Sequence, residues 1–362
     1  MSLRARIERI MRGEEPPGAL AGPLWLAERL YAGAVFARGA LYGAGILQAR
    51  RADRPVISVG NLTVGGTGKT PLADLIAGEL LAMGLKPGIL SRGYGAKSRE
   101  RVTVVSGGAA LGPPPPETAD EAYMLARRRP GVPVVCAPKR IEGARVLVER
   151  FRVDVIVLDD GFQHRALARD LDIVLLDGAD PAGNGQLLPR GPLREPLTCA
   201  HRADLVVVNM GAAGRGAEEV IAELRARLNI TAPMAAARGR VDGYRDAFTG
   251  EVCSAPRRAW LLLGVARPTH VRAAMEHAGL DVAGITAYPD HHHFTPAQLE
   301  TARRAAHDAG AEAVVTTEKD AARLTGMAPI PGLPVIAAAW TLEIVSGADA
   351  WREALRRAAG NR

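Results

Sequence analysis

Val56-Ile-Ser-Val-Gly-Asn-Leu-Thr-Val-Gly-Gly-Thr-Gly-Lys-Thr70 decides the reading of this chain. A short apolar run, Val56–Val59, enters a glycine-rich turn, and the turn enters a stretch of helical character from about Pro71 to Met83. Strand, glycine-rich loop closing in Gly-Lys-Thr, and helix together make a phosphate-binding loop. Glycines let backbone N–H groups turn inward onto phosphate oxygens, and the helix start adds the positive end of its dipole. Thr63, Val64, Gly65, Gly66, Thr67 and Gly68 are therefore expected to cradle a nucleotide. Lys69 is expected to reach the β- and γ-phosphates, and the Thr70 hydroxyl to hold Mg²⁺. The usual pattern has a further glycine where Thr63 stands, so the Gly65-Gly66 pair is expected to supply the flexibility.

Working outward, Val153-Asp-Val-Ile-Val-Leu-Asp-Asp160 is an apolar run ending in two carboxylates. Beside a phosphate-binding loop, such a strand end brings an acid to the Mg²⁺ that bridges β- and γ-phosphates. Asp159 and Asp160 would point to opposite sides if the strand continues, giving them different roles; either could be the metal ligand. Further strand-length runs are Gly88–Leu90, Val102–Val105, Val132–Cys136, Ile173–Leu176 and Leu205–Val208. Helical stretches, among them Ala119–Arg128, separate them. This alternation predicts parallel strands with right-handed crossovers, a doubly wound, mostly parallel sheet of the P-loop NTPase type. A helix over Ala217–Leu228 leads into a second, smaller α/β lobe, with strands expected at Ala259–Leu263, Gly284–Ala287, Ala313–Thr316 and Val335–Ala338. The chain thus divides into residues 1–52, a core at 53–213 and a C-terminal lobe at 214–362.

The three cysteines, Cys136, Cys199 and Cys253, are far apart and carry no metal-ligand spacing, which argues against a disulfide framework or a zinc knuckle. Of the net charge of +7, residues 1–54 carry +4, with nine arginines against five acids. Such a segment suits nucleic acid or an anionic membrane. The neighbouring residues favour the membrane. Leu30 to Leu47 hold one charge, Arg38, and Trp25, Tyr31, Phe36 and Tyr42 cluster here. Wound as a helix, Leu30, Tyr31, Val35, Leu41, Tyr42 and Ile46 share one broad face, with Gly33, Ala37, Ala40 and Ala44 opposite. The segment predicts a membrane-associated helix, lying in the interface or spanning once, with a helix docked on the protein's own core as the alternative.

At Asp159-Asp-Gly-Phe-Gln-His164, taken with Asn61–Thr70, the chain resembles the tetraacyldisaccharide 4'-kinases of lipid A biosynthesis. The likeness extends to Ser91-Arg-Gly-Tyr-Gly95, Asp120-Glu121, Ala137-Pro-Lys-Arg140 and Gly183-Asn-Gly-Gln-Leu-Leu-Pro-Arg-Gly-Pro-Leu-Arg-Glu-Pro196. It continues in Asp290-His291 and Thr317-Glu-Lys-Asp320, so it covers nearly the whole chain. The resemblance implies an enzyme at the cytoplasmic face of the inner membrane, peripheral or anchored by one helix. It would use ATP and Mg²⁺ to phosphorylate the 4'-hydroxyl of an acidic, acylated disaccharide 1-phosphate, giving lipid IV-A. It also implies that Asp120 activates the sugar hydroxyl with His291 as partner. Gln163 and His164 would border the nucleotide, and Arg140, Arg194 and Glu195 the substrate. Arg190 lies in the same loop as Arg194. No nucleic-acid partner is expected, because the residues beside the basic segment favour a membrane.

Other classes compete. A GTPase or regulatory ATPase would share the loop, but guanine readers carry an Asn-Lys-x-Asp-type segment. Val206-Val-Val-Asn-Met210 has Asn209 without the following Lys or Asp. A soluble kinase for a small metabolite leaves the aromatic N-terminal segment without a purpose. A membrane-tethered nucleotide-binding scaffold would transfer no phosphate to lipid.

Overall fold

The computed structural model describes residues 3–211, 215–327 and 332–360, so the boundary expected between residues 213 and 214 lies outside the described residues. In chain order the elements are α1 (Leu3–Met11), α2 (Ala21–Gly43), β1 (Val56–Asn61), α3 (Lys69–Ala82), β2 (Pro87–Ser91) and β3 (Thr103–Gly107). There follow α4 (Asp120–Arg128), β4 (Pro133–Cys136), α5 (Arg140–Glu149), β5 (Val155–Asp159), β6 (Leu171–Asp177), β7 (Leu205–Asn209), α6 (Ala217–Leu228) and β8 (Met234–Asp246). The rest are β9 (Val252–Cys253), β10 (Arg258–Leu263), α7 (Pro268–His277), β11 (Asp281–Ala287), α8 (Pro296–Asp308), β12 (Ala313–Thr317), α9 (Glu318–Leu324), β13 (Val335–Ser346) and α10 (Ala348–Gly360).

These elements form two compact units, one of Met1–Lys69, Asp160–Ala237 and Ile344–Arg362, the other of Thr70–Asp159 and Arg238–Glu343. In the first, β1, β6, β7 and β8 pair in that order, all parallel. Strands covered on both faces read as unbroken apolar runs, and β1 is buried at every position. Val220, Ile221 and Leu224 of α6 join Phe162, Val174, Val206 and Val208 in one core. Gly60 has no room for a side chain, since a Cβ there would meet the Phe162 Cβ at 2.4 Å.

Helix α2 belongs to the same unit and differs from its sequence reading. It begins at Ala21 and stops at Gly43, where Gly45 turns the chain at φ +72°, so Ile46 lies beyond it. Leu24 and Glu28 are its buried residues, while Leu26, Leu30, Phe36 and Leu41 are exposed. The predicted face therefore splits: Tyr31, Val35 and Tyr42 turn toward the protein, Leu30 and Leu41 away from it. Polar anchors choose the docked side. Glu28 accepts from the Leu187 N–H at 3.2 Å and pairs with Arg190 at 3.1 Å. The Tyr31 hydroxyl donates to the Arg194 carbonyl, Arg38 donates to the Gln163 carbonyl, and Arg165 lies 4.5 Å over the Tyr42 ring. Among the described residues no helix is long and apolar enough to cross a membrane.

In the second unit β5, β2 and β4 run parallel, and β3 adds antiparallel to β4. A further run, β11-β10-β12-β13, is parallel throughout. Antiparallel β3, and β9 on β8, depart from the predicted parallel pattern. Strand β8 escaped the sequence reading because its Ala, Arg and Gly content lacks the β-branched signature. Helix α4 packs along α9, and both carry polar residues inward.

Candidate active site

The nucleotide loop is held in shape by asparagines at two strand ends. The Asn61 amide donates to Thr67 Oγ1 at 2.9 Å, and the Asn209 amide to the Thr67 carbonyl at 2.8 Å. Asn209, considered above as a base reader, is thus a clamp on the loop. Left-handed backbone falls at Gly65 (φ +111°) and Gly68 (φ +98°), not at residue 63. That explains how Thr63 replaces the usual glycine: it sits in a bridge with Leu193, a conformation a β-branched residue favours.

Beyond the loop, Lys69 Nζ lies 3.7 Å from Asp160 Oδ1. Strand β5 ends at Asp159, and Asp160 is left-handed (φ +52°), so the strand does not continue through it. The turn comes because the Gly161 N–H bonds back to the Val59 carbonyl. It swings the Asp160 carboxylate to Arg194, whose Nη1 donates to both oxygens at 2.8 and 3.0 Å. Asp159 stays buried and accepts from the Thr70 hydroxyl at 3.3 Å. Thr70 and Asp159 offer hard oxygen donors of the kind Mg²⁺ takes. Among the described residues no group of three His, Cys, Asp or Glu is arranged as a metal cage.

Gln163 bridges two of these groups, donating to the Asn61 carbonyl at 2.9 Å and accepting from Arg194 at 3.3 Å. His164 follows in the same turn, its N–H on the Gly161 carbonyl. Glu195 is buried and pairs with Arg202 at 2.7 Å rather than with its neighbour Arg194. Arg140 is buried at the start of α5 and donates to the carbonyls of Ala137 and Pro138. Arg190 anchors α2 through Glu28.

The second unit joins Asp120 and His291, 171 residues apart, at 2.9 Å between Oδ2 and Nδ1. Asp120 opens α4, where the helix dipole favours a carboxylate, and its Oδ1 accepts from the Glu121 N–H at 2.9 Å. His291 is left-handed (φ +61°), and its N–H bonds to Asp290 Oδ1 at 3.0 Å. Burial pushes the Asp120 pKa up, but His291, Lys319 and Arg323 outweigh it and hold the carboxyl well below the ordinary carboxylate range. A carboxylate only accepts, so His291 Nδ1 carries the shared hydrogen. The Nε2 atom lies 3.4 Å from Lys319 Nζ. Lys319 also reaches Glu121 at 3.1 Å and Asp290 at 3.4 Å, and these acids raise its pKa against the effect of burial. The sequence reading quoted Thr317–Asp320 without a role and missed Arg323, three residues further on.

A glycine-rich loop between a buried parallel strand and a helix, with an acidic strand end beside it, defines a protein of the P-loop NTPase type. A family model described as tetraacyldisaccharide-1-P 4'-kinase matches residues 20–359. A tetraacyldisaccharide 4'-kinase of Anaeromyxobacter dehalogenans strain 2CP-1 is 50% identical over 317 residues, covering 85% of this chain and 83% of its own. The corresponding kinase of Syntrophus aciditrophicus is 39% identical over 345 residues, covering 90% and 91%. Among solved structures, LpxK of Aquifex aeolicus, described in complex with ATP, superposes with a TM-score of 0.74 at 29% identity. It covers 93% of this chain and 98% of its own. The chain belongs to the tetraacyldisaccharide 4'-kinase family.

Proposed function

We propose that this protein transfers the γ-phosphate of ATP to the 4'-hydroxyl of a tetraacyldisaccharide 1-phosphate, giving lipid IV-A. Family membership across residues 20–359 supports the reading, and the observation that carries it is the Asp120–His291 pair. A nucleotide switch needs no group to take a proton from an alcohol; a kinase acting on a sugar hydroxyl gains from one. Here a buried carboxylate and an imidazole are already joined, and the pair would accept that proton as the phosphoryl group moves.

The remaining roles follow from charge and reach. Backbone N–H groups of residues 63–68 would bind phosphate oxygens, with Lys69 on the β- and γ-phosphates. Mg²⁺ bound by Thr70 and Asp159 would neutralise charge building on those oxygens. Asp160, engaged by Lys69 and Arg194, would orient both cations instead of taking the metal itself. Gln163 and His164 would border the nucleotide, and Arg140, Arg194 and Glu195 the sugar phosphate.

The outward face of α2, with Leu26, Leu30 and Phe36, would rest in the cytoplasmic face of the inner membrane, where an acylated substrate resides. The sequence blocks 1–52, 53–213 and 214–362 would then serve as membrane contact, nucleotide core and C-terminal lobe. The test is incubation with ATP, Mg²⁺ and detergent-dispersed tetraacyldisaccharide 1-phosphate, followed by mass spectrometry. Gain of one phosphate on the lipid is expected; ATP hydrolysis with unmodified lipid would leave the switch or scaffold reading.

A further inference from the structure

We infer that Arg323 is a positioning residue for this reaction: with Asp320 and Gly264 it fixes the Asp120 carboxylate on which His291 is oriented. The inference rests on the proposed role of Asp120 and His291 as the proton-accepting pair.

The geometry is that of a buried clamp. The Arg323 side chain is 1% exposed and that of Asp320 is fully buried. Arg323 Nε donates to Asp120 Oδ2 at 2.8 Å, and Nη2 donates to the same oxygen. Nη1 turns the other way, to Asp320 Oδ1 at 2.7 Å and the Gly264 carbonyl at 2.9 Å. Asp320 is fixed in turn: its Oδ2 accepts from the Gly264 N–H at 3.1 Å and the Thr317 hydroxyl at 2.9 Å. Gly264 is needed for this closeness, because a Cβ there would stand 3.0 Å from Asp320 Oδ1 and 3.2 Å from Arg323 Nη1. Only a planar, many-donor cation can serve Asp120, Asp320 and a carbonyl at once; lysine has the charge without the fork.

The consequence is functional as well as structural. Asp120 Oδ2 receives Arg323 and His291 together, so any turn of the carboxyl group breaks the imidazole contact. The guanidinium also sets the proton affinity of the pair, which ionises as a coupled unit. Other charges surround the pair: Lys319 from α9, itself engaged by Glu121 of α4, and Asp290 from the His291 loop. Tyr94 lies edge-on to His291, and His293 and Lys97 also face this region. Of these groups, Arg323 is the cation that donates two hydrogen bonds to the acid itself.

The sign of the electrostatic effect supplies the test. Removing the Arg323 charge raises the affinity of the pair for a proton, and removing the Asp320 charge lowers it. The acidic limb of kcat is measured from pH 4.5 to 9 in the parent, Arg323→Met, Arg323→Lys and Asp320→Asn, with saturating ATP, Mg²⁺ and lipid. Arg323→Met should move the limb upward by about one unit or more, or bring one into range, as for loss of a close counter-charge. Asp320→Asn should move it downward. Arg323→Lys should keep the limb within about half a unit while kcat falls about tenfold or more, since charge remains and orientation is lost. The KM for ATP should stay within about twofold in all three, since the hydrogen bonds of Arg323 go to Asp120, Asp320 and Gly264. Limbs of Arg323→Met and Asp320→Asn that stay at the parent position, however slow the enzymes, would reduce the clamp to a packing element. If Arg323→Met does not fold, Arg323→Gln takes its place, and a limb left at the parent position in that folded variant overturns the inference. No transfer by the parent would instead defeat the proposed function.

Discussion

Replacing Leu30 and Phe36 of α2 together by glutamine tests whether the outward face of α2 meets lipid. Their exposures are 70% and 78%, so most of each side chain is available to leave water on contact with acyl chains. Full burial of a Leu or Phe is worth about 1.5–3 kcal/mol, so these two offer roughly 2–4 kcal/mol of membrane affinity. At about 1.4 kcal/mol per tenfold, the double variant should partition about thirty- to several-hundredfold more weakly into vesicles. Trp25, Leu26 and Leu41 would supply the residual binding. The fold should survive, because glutamine is a good helix former and the helix docks through Glu28, Tyr31 and Arg38 on other sides. Co-sedimentation with vesicles of phosphatidylcholine and phosphatidylglycerol, with circular dichroism as the control, measures it. A folded double variant that sediments like the parent would refute the assignment of this face to the membrane.

Three further outcomes are expected. Lys69→Ala should lower kcat/KM by at least about a hundredfold, roughly 3 kcal/mol, because no neutral side chain stabilises the moving phosphoryl oxygens; near-normal turnover by a folded variant would remove that role. Asp120→Ala and His291→Ala should each reduce kcat far more than they raise the KM for ATP, and the double variant should be little worse than the poorer single one. Fully multiplicative losses in that cycle would mean independent roles. Burial pushes Asp172 up to about 6 from an ordinary 3.8, against the pull of Arg169. Its folded value is the higher one, so its contribution to stability is complete below 3.8 and is lost as pH rises through about 6. Asp172→Asn, which cannot ionise, should lose less stability than the parent between pH 4 and 7, by up to about 3 kcal/mol. Parallel denaturation midpoints across that range would contradict the shift.

Much of the architecture was legible locally because buried parallel strands are continuous apolar runs and the nucleotide loop is one contiguous segment. Val56–Asn61, Val155–Asp159 and Leu205–Asn209 announce themselves this way, and α6 was read to the residue. Strand β8 was not legible, since its small and charged residues carry no strand signal of their own, whereas Trp340–Ser346 of β13 has β-branched and aromatic residues and was missed despite that signal.

Local sequence was enough to raise the expectations at the loop: Lys69 for the phosphate-binding charge, Thr70 for the hydroxyl offered to a metal, and Asp159 and Asp160 for the acids. Those properties depend on spacing within a few residues, which a chain states directly. Which partners those residues take depends on the folded chain. It turned Asp160 away from its neighbour and toward Lys69 and Arg194. It made Asn209 a clamp on Thr67. It chose the docked side of α2, and it brought Asp120 to Arg323 across 203 residues. Such pairings arise where burial forces a charge to find an opposite charge, and nothing in local sequence states which of many arginines will supply it.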